Sequence, residues 1–203
     1  MKVKRITGKG IVLSTKLGKC TSVVLSEGQA EYASEIGRQR TAAAKNEKHR
    51  DGVREPRSWD EREKYDIMAA KGEMCAHLLT GLPWTRAVGK RPKNEGDLAT
   101  GTKFQSEIRT EGKHGKRLRL AKWDYRSQWF IHVTVDDWRE YRVWGCIWGQ
   151  KAWEVGRWQE YGTSGRHWMF VGKEHLMPIT HLTDEYDKDI DNWAQELADL
   201  PKT

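Results

Sequence analysis

Glu73, Asp97 and the run Glu107-Ile108-Arg109 are the residues whose types and spacing suit chemistry in this chain. Three carboxylates drawn together can hold a hard divalent cation, which prefers oxygen ligands and keeps several of its waters. A metal-bound water can then attack a phosphodiester in line. A cation beside the last acid can offset the charge that develops on phosphorus. Glu107 and Arg109 lie two apart in a segment whose polarity alternates with period two, so they share one face of a strand. Glu73 sits in the middle of the most apolar helical segment of the chain, where burying a carboxylate is costly without a compensating cation, donor or metal. Gly72 before it costs about 1 kcal/mol against alanine inside a helix, which suggests that close packing needs the space. Each residue also has a blander role: Glu73 on a polar strip with Lys71, Asp97 as a turn aspartate after Gly96, and Glu107 with Arg109 as an ion pair on a solvated strand face.

The elements that must position these groups are legible. Ile11-Val12-Leu13 and Val23-Val24-Leu25 read as a hairpin turned at Gly18. Ser26 and Gln29 form a capping box for a helix that places Ala30, Ala33, Ile36 and Gly37 on one side and runs through the alanines at 42–44. A basic segment, Lys45–Arg57, reads as a loop. Ser58 with Glu61 starts a second helix that Gly81 and Pro83 stop. Its apolar residues cover a wide arc, as in a helix packed on most of its circumference. After a loop at Lys90–Gly101, strands are expected from Lys103 and at Arg117–Leu120, Trp129–Val135, Tyr141–Trp148 and Trp168–Val171. A last amphipathic helix is expected from Thr183, burying Ile190, Trp193, Ala194 and Leu197.

That order predicts an α+β (mixed α/β) fold: a central mixed sheet flanked by helices, with an N-terminal hairpin and helix. The expected divisions are a hairpin and helical arm over 1–57, an α/β core over 58–182 and a C-terminal helix over 183–203.

The residues that follow the acids are basic. Lys113, Lys116, Arg117 and Arg119 cluster directly after the Glu107 strand, and Arg117 and Arg119 share a strand face able to track a phosphate backbone. Their alternative role is a solvated hairpin. The chain as a whole carries a formal +7 over 203 residues, which favours anionic partners, nucleic acid ahead of a membrane surface. No apolar run is long enough to span a bilayer, and the N-terminal lysines are not followed by the apolar core of a secretory signal. The three cysteines contain no CxxC pair, which argues against a zinc site or disulfide framework and for a reducing cytoplasm. Eight of the eleven tryptophans lie between Trp123 and Trp168. Trp144, Trp148 and Trp153 are read first as sheet packing, with base stacking as the other role. Among the histidines none falls in a nucleophile or zinc-protease motif, and His132 reads as a hydrogen-bonded strand histidine.

The helix Gly72-Glu73-Met74, the step Gly96-Asp97-Leu98 and the strand Glu107-Ile108-Arg109-Thr110 together resemble the PD-(D/E)XK nuclease superfamily. With the strand Tyr141–Gly149, they also resemble a group of small phage and prophage proteins over Asp66–Ile179. The resemblance implies a DNA-hydrolysing, metal-dependent nuclease of a phage type, working in a bacterial cytoplasm. Glu73, Asp97 and Glu107 would hold Mg²⁺ or Mn²⁺, and Arg109 would stand where the family has lysine. Arginine stays charged and cannot act as a base, and Gly96 occupies the place of the family's proline. The alternative is a non-catalytic phage protein that binds DNA or a host defence protein, alone or as a homo-oligomer.

Overall fold

The computed structural model describes residues 16–17, 20–47, 58–89, 95–113, 115–160 and 167–188. The fold is α+β. Strands β1 (Lys16–Leu17) and β2 (Cys20–Val24) precede helices α1 (Glu27–Asn46) and α2 (Trp59–Thr80). Then come β3 (Ser106–Glu111), β4 (Arg117–Leu120), β5 (Trp129–Val135), β6 (Glu140–Trp148), helix α3 (Gly149–Val155), β7 (Arg157–Glu160) and β8 (His167–Gly172). Residues 180–188 form a further helical segment, α4.

The central sheet has the order β1-β2-β6-β5-β3 and is mixed, because β3 and β5 run parallel while the other pairs are antiparallel. A parallel neighbour needs a crossover connection. The segment 112–128 supplies it and places β4 in a second, antiparallel sheet of order β4-β8-β7. The N-terminal segment is built into the main layer: β2 pairs with β6, and Val23, Leu25, Ala30, Ala33 and Ile36 join α2 and the sheet in one apolar core. A second core, containing Leu118, Leu120, Phe130, Ile147, Met169 and Val171, fills the space between the two sheets.

Local chemistry explains the helix ends. The Ser26–Gln29 capping box is complete, Ser26 Oγ accepting from Gln29 N at 3.2 Å and Gln29 Oε1 from Ser26 N at 2.9 Å. Ser58 Oγ caps α2 by accepting from Glu61 N at 3.1 Å, and Gly81 ends it in the left-handed conformation at φ 70°. Within α2, residues 70–76 are buried without a break, as a helix packed on most of its circumference requires. Ser106 and Ile108 point into the core while Glu107 and Arg109 lie on the other face of β3, as period two dictates. The hairpin strand expected at 11–13, its turn at Gly18, and the helical positions Ile190, Trp193, Ala194 and Leu197 lie outside the described residues. Helix α3 and strand β7 are short elements absent from the expected order; seven and four residues carry too little periodicity to announce themselves.

Helices α1 and α2 cross closely at Gly37, where an added Cβ would meet Ile67 Cα at 2.5 Å and Asp66 C at 2.8 Å. Backbone cannot give way as a side chain can. Gly37→Ala is therefore expected to lower stability by about 1–3 kcal/mol in a urea titration, despite the usual helical preference for alanine. An unchanged or higher midpoint would show that the helices separate at little cost.

Candidate functional site

Four of the residues singled out in sequence, Glu73, Asp97, Glu107 and Arg109, line one cavity of about 270 Å³ between α2 and β3. The loop after α2 brings Asp97 there. Trp84 bridges to Leu98, and Leu98 bridges to Ser106 at the start of β3, so the loop runs as a short added strand along the sheet edge. Asp97 is buried, and its Oδ2 accepts from Ile108 N at 2.8 Å, which fixes its carboxylate against β3 one residue from Glu107. Gly72 explains itself too: an added Cβ would collide with the Thr110 side chain, so α2 can lie against β3 only without one.

Glu73 reaches the cavity from the interior of α2 and does not lie on a solvated strip, being 3% exposed. Arg40 of α1 grips it with two parallel bonds, Nη1 to Oε1 at 2.6 Å and Nη2 to Oε2 at 2.7 Å. Trp84 Nε1 donates to the same Oε2 at 2.7 Å, and Arg40 Nε donates to the Ala87 carbonyl at 2.9 Å. Burial and the neighbouring Asp97 push the Glu73 carboxyl above the usual range, against the opposing pull of Arg40 and Trp84. A fork of this kind orients its partner and opposes that rise without cancelling it. Arg40 was not a candidate from sequence, although a signal existed: it interrupts the helical stripe of small and apolar residues Ala33, Gly37 and Ala44.

Arg109 spans two acids. Its Nη1 donates to Glu107 Oε1 at 3.1 Å and its Nη2 to Asp124 Oδ1 at 2.6 Å, while Asp124 Oδ2 accepts from Ala121 N at 2.8 Å. Burial pulls the guanidinium pKa down, but Glu107, Asp124 and Asp97 outweigh it and the net shift is upward. The side chain is thus a permanent cation held at Glu107 by Asp124, a residue in an unremarkable turn that sequence reading did not single out.

The basic residues gather next door. Lys113, Lys116, Arg117 and Arg119 line a groove of about 530 Å³ with Tyr65, Met68, Thr110 and Glu111. On β3 the cavity uses Glu107–Arg109 and the groove uses Thr110 and Glu111. On α2 the cavity takes Arg62, Asp66, Ala69 and Glu73, and the groove takes Tyr65 and Met68. The two concavities therefore follow one another along the same pair of elements. Glu111 lies 3.5 Å from Arg119, and burial raises its carboxyl pKa against the opposing pull of Arg119, Lys173 and Arg117.

The donor set can be weighed against a divalent cation. Among the described residues no three His, Cys, Asp or Glu side chains form a group arranged to share one ion. Both oxygens of Glu73 are engaged by Arg40 and Trp84, so Glu73 meets a metal only if that fork opens. Asp97 and Glu107 lie on neighbouring backbone; Asp97 Oδ2 already accepts from Ile108 N and Glu107 Oε1 from Arg109, so a metal would share or displace those bonds. The described lining of the cavity carries five carboxylates, Glu47, Asp66, Glu73, Asp97 and Glu107, against three arginines. That excess suits a doubly charged cation with water completing its shell.

His132 faces the same side of the central sheet as Arg109, its partner in the β3–β5 register. It is fully buried on β5, yet neither ring nitrogen has a hydrogen-bond partner, contrary to the expectation of a hydrogen-bonded strand histidine. Burial, with Lys173 adding to it, drops its pKa to about 3. A histidine whose folded pKa lies below its unfolded value of 6.5 binds its proton only on unfolding between those limits. Stability should fall as pH drops below 6.5, by about 1.4 kcal/mol per pH unit from this group. Denaturant titrations at stepped pH are expected to show that slope, and His132→Met to reduce it. An identical slope in the variant would place the acid sensitivity elsewhere.

The chain matches no protein-family model, no curated protein and no solved structure. No helix among the described residues is long and apolar enough to cross a membrane.

Proposed function

We propose that this protein is a phage-type, metal-dependent nuclease-like protein that hydrolyses DNA phosphodiester bonds. The observation that carries the reading is the convergence of Glu73, Asp97, Glu107 and Arg109, up to 36 residues apart in sequence, on one cavity. Asp97 and Glu107 would hold Mg²⁺ or Mn²⁺. The metal would supply a water activated for attack. Arg109, kept charged and aimed by Asp124, would neutralise the phosphate as charge builds on it. Glu73 would orient Arg40 toward the same phosphate and would join the metal only on release of that arginine. Lys113, Lys116, Arg117 and Arg119 would hold the DNA backbone leading into the cavity.

Calorimetry with Mn²⁺, in a buffer containing a short DNA duplex, tests this. The parent should take up the metal and Glu107→Ala should not. No uptake by the parent would end the metal-dependent reading.

The second reading is a non-catalytic phage protein that binds DNA or a host protein. It is favoured by the Arg40 fork on Glu73 and by an arginine at position 109 that cannot serve as a base. DNA affinity that falls steeply with salt and ignores divalent metal would support it.

A further inference from the structure

The outer face of the β4-β8-β7 sheet shares Arg117, Arg119 and Phe170 with the groove and carries further residues that the groove does not account for. Leu118, Leu120, Met169 and Val171 point inward to the second core. By alternation, Arg117 and Arg119 of β4, Trp168 and Phe170 of β8, and Arg157 and Gln159 of β7 lie on the other face, where Phe170 is buried beneath Arg117. Those six positions hold three arginines, two aromatic rings and no carboxylate. The cross-strand register sets Arg119 opposite Phe170 and Phe170 opposite Arg157, so cations flank the central ring on both sides.

The contacts are of a stacking kind. The Arg117 guanidinium lies 4.5 Å from the Phe170 ring centre, and that of Arg119 lies 5.1 Å from Trp168. Trp123, from the turn after β4, meets Trp168 edge-on at 5.9 Å and leaves 68% of its own surface exposed. A tryptophan that exposed, beside a second aromatic and a row of arginines, is not explained by packing. Trp144 and Trp153, in contrast, pack on the second core, as their sequence context implied.

The geometry points to a platform for an unpaired DNA strand, whose bases stack on Trp123 and Trp168 while Arg117, Arg119 and Arg157 hold its phosphates. Charge selects a polyanion. The exposed ring of Trp123, backed by the half-buried Trp168, selects unpaired bases, because in a duplex the base faces are already stacked and only the edges and backbone are offered. Arg117 and Arg119 also line the basic groove, so the platform continues into the path toward the carboxylate cavity. A strand leaving the platform would therefore arrive at Glu107. The choice of DNA rests on the function proposed above; the unpaired form rests on this face alone.

The test is fluorescence anisotropy of a labelled oligo-thymidine titrated with the full chain in a chelator, so that no metal and no cleavage enter. The same length of duplex and an oligo-uridine serve as competitors. The parent is expected to bind oligo-thymidine more tightly than either. Trp123→Ala and Trp168→Ala should each weaken binding roughly 5- to 150-fold, the range stacking on one base supports, with the salt dependence unchanged. Trp168→Tyr should retain most of the affinity. Arg119→Gln should instead flatten the salt dependence by about 0.7 in the log–log slope. Trp123, being largely exposed, can be replaced without disturbing the fold, and a circular dichroism spectrum checks this. Duplex binding as tight as the single strand, a Trp123→Ala variant that binds like the parent, or a clear preference for oligo-uridine would each overturn the platform. Oligo-thymidine binding without Mn²⁺ uptake would overturn the proposed hydrolysis and leave the platform standing. Metal uptake and duplex cleavage without oligo-thymidine binding would do the reverse.

Discussion

Glu107→Gln is expected to abolish the proposed cleavage of DNA, a loss on the order of a thousandfold or more, while the variant unfolds close to the parent's denaturant midpoint. The amide keeps the size of the side chain and an oxygen able to accept from Arg109, now at 3.1 Å, but removes the charge a divalent cation needs. Asp97 calls for more care. Its Oδ2 accepts from the buried Ile108 N–H at 2.8 Å, so Asp97→Ala would orphan that donor and cost about 1–3 kcal/mol for reasons unrelated to chemistry. Asp97→Asn keeps an acceptor in place and is the informative change. It too should lose activity, with a smaller loss of stability than the alanine variant. Cleavage of labelled duplex with Mn²⁺, read beside a urea titration of each variant, separates the two effects. Full activity in Glu107→Gln would remove Glu107 from the site.

Arg40→Ala is expected to be the most destabilising of the single changes considered. Arg40 is the only charged partner that the described hydrogen bonds give to Glu73, a carboxylate 3% exposed in the middle of α2. Removing one member of a buried pair leaves the other charge uncompensated, at a cost of about 3–5 kcal/mol. The pH dependence identifies the cause. Burial already raises the Glu73 carboxyl pKa in the folded protein, and losing Arg40 raises it further. A folded pKa above the unfolded value means that the favourable contribution is complete below the unfolded pKa and declines as pH rises through the folded one. The stability lost in Arg40→Ala, measured against the parent at the same pH, should thus be largest at high pH and shrink as pH falls and Glu73 takes up a proton. Taking the difference from the parent at each pH cancels the His132 contribution, which both chains share. An Arg40→Ala variant as stable as the parent at pH 8 would show that Glu73 finds another counter-charge.

Much of the fold was legible because the signals are local. A capping box satisfies helix-end donors within four residues, so Ser26–Gln29 and the Ser58 cap could be read directly, and both are present. Period two on β3 separated Ile108 from Glu107 and Arg109 before any neighbour was known. The mixed sheet followed from the order of helices and strands, but the division into two sheets did not. Nothing in Arg117–Leu120 marks it as the neighbour of β8 and not of β3; that pairing depends on where the chain goes fifty residues later. The built-in position of β2 was equally silent, since its partner β6 lies more than a hundred residues on.

The candidate site divides in the same way. Sequence alone determined which residue types stand at which spacing: the acids Glu73, Asp97 and Glu107, the cation two residues after the last, and the basic run behind it. Only the tertiary structure decided what each one faces. It closed Arg40 and Trp84 on Glu73, tied Asp97 to the backbone of β3, and placed Asp124 beneath Arg109. It also turned Arg117 toward Phe170 and Arg119 toward Trp168. The reason is physical. A helical or strand period is written into adjacent residues, whereas an ion pair between α1 and α2 forms only once packing has brought two distant segments within 3 Å and removed the water between them.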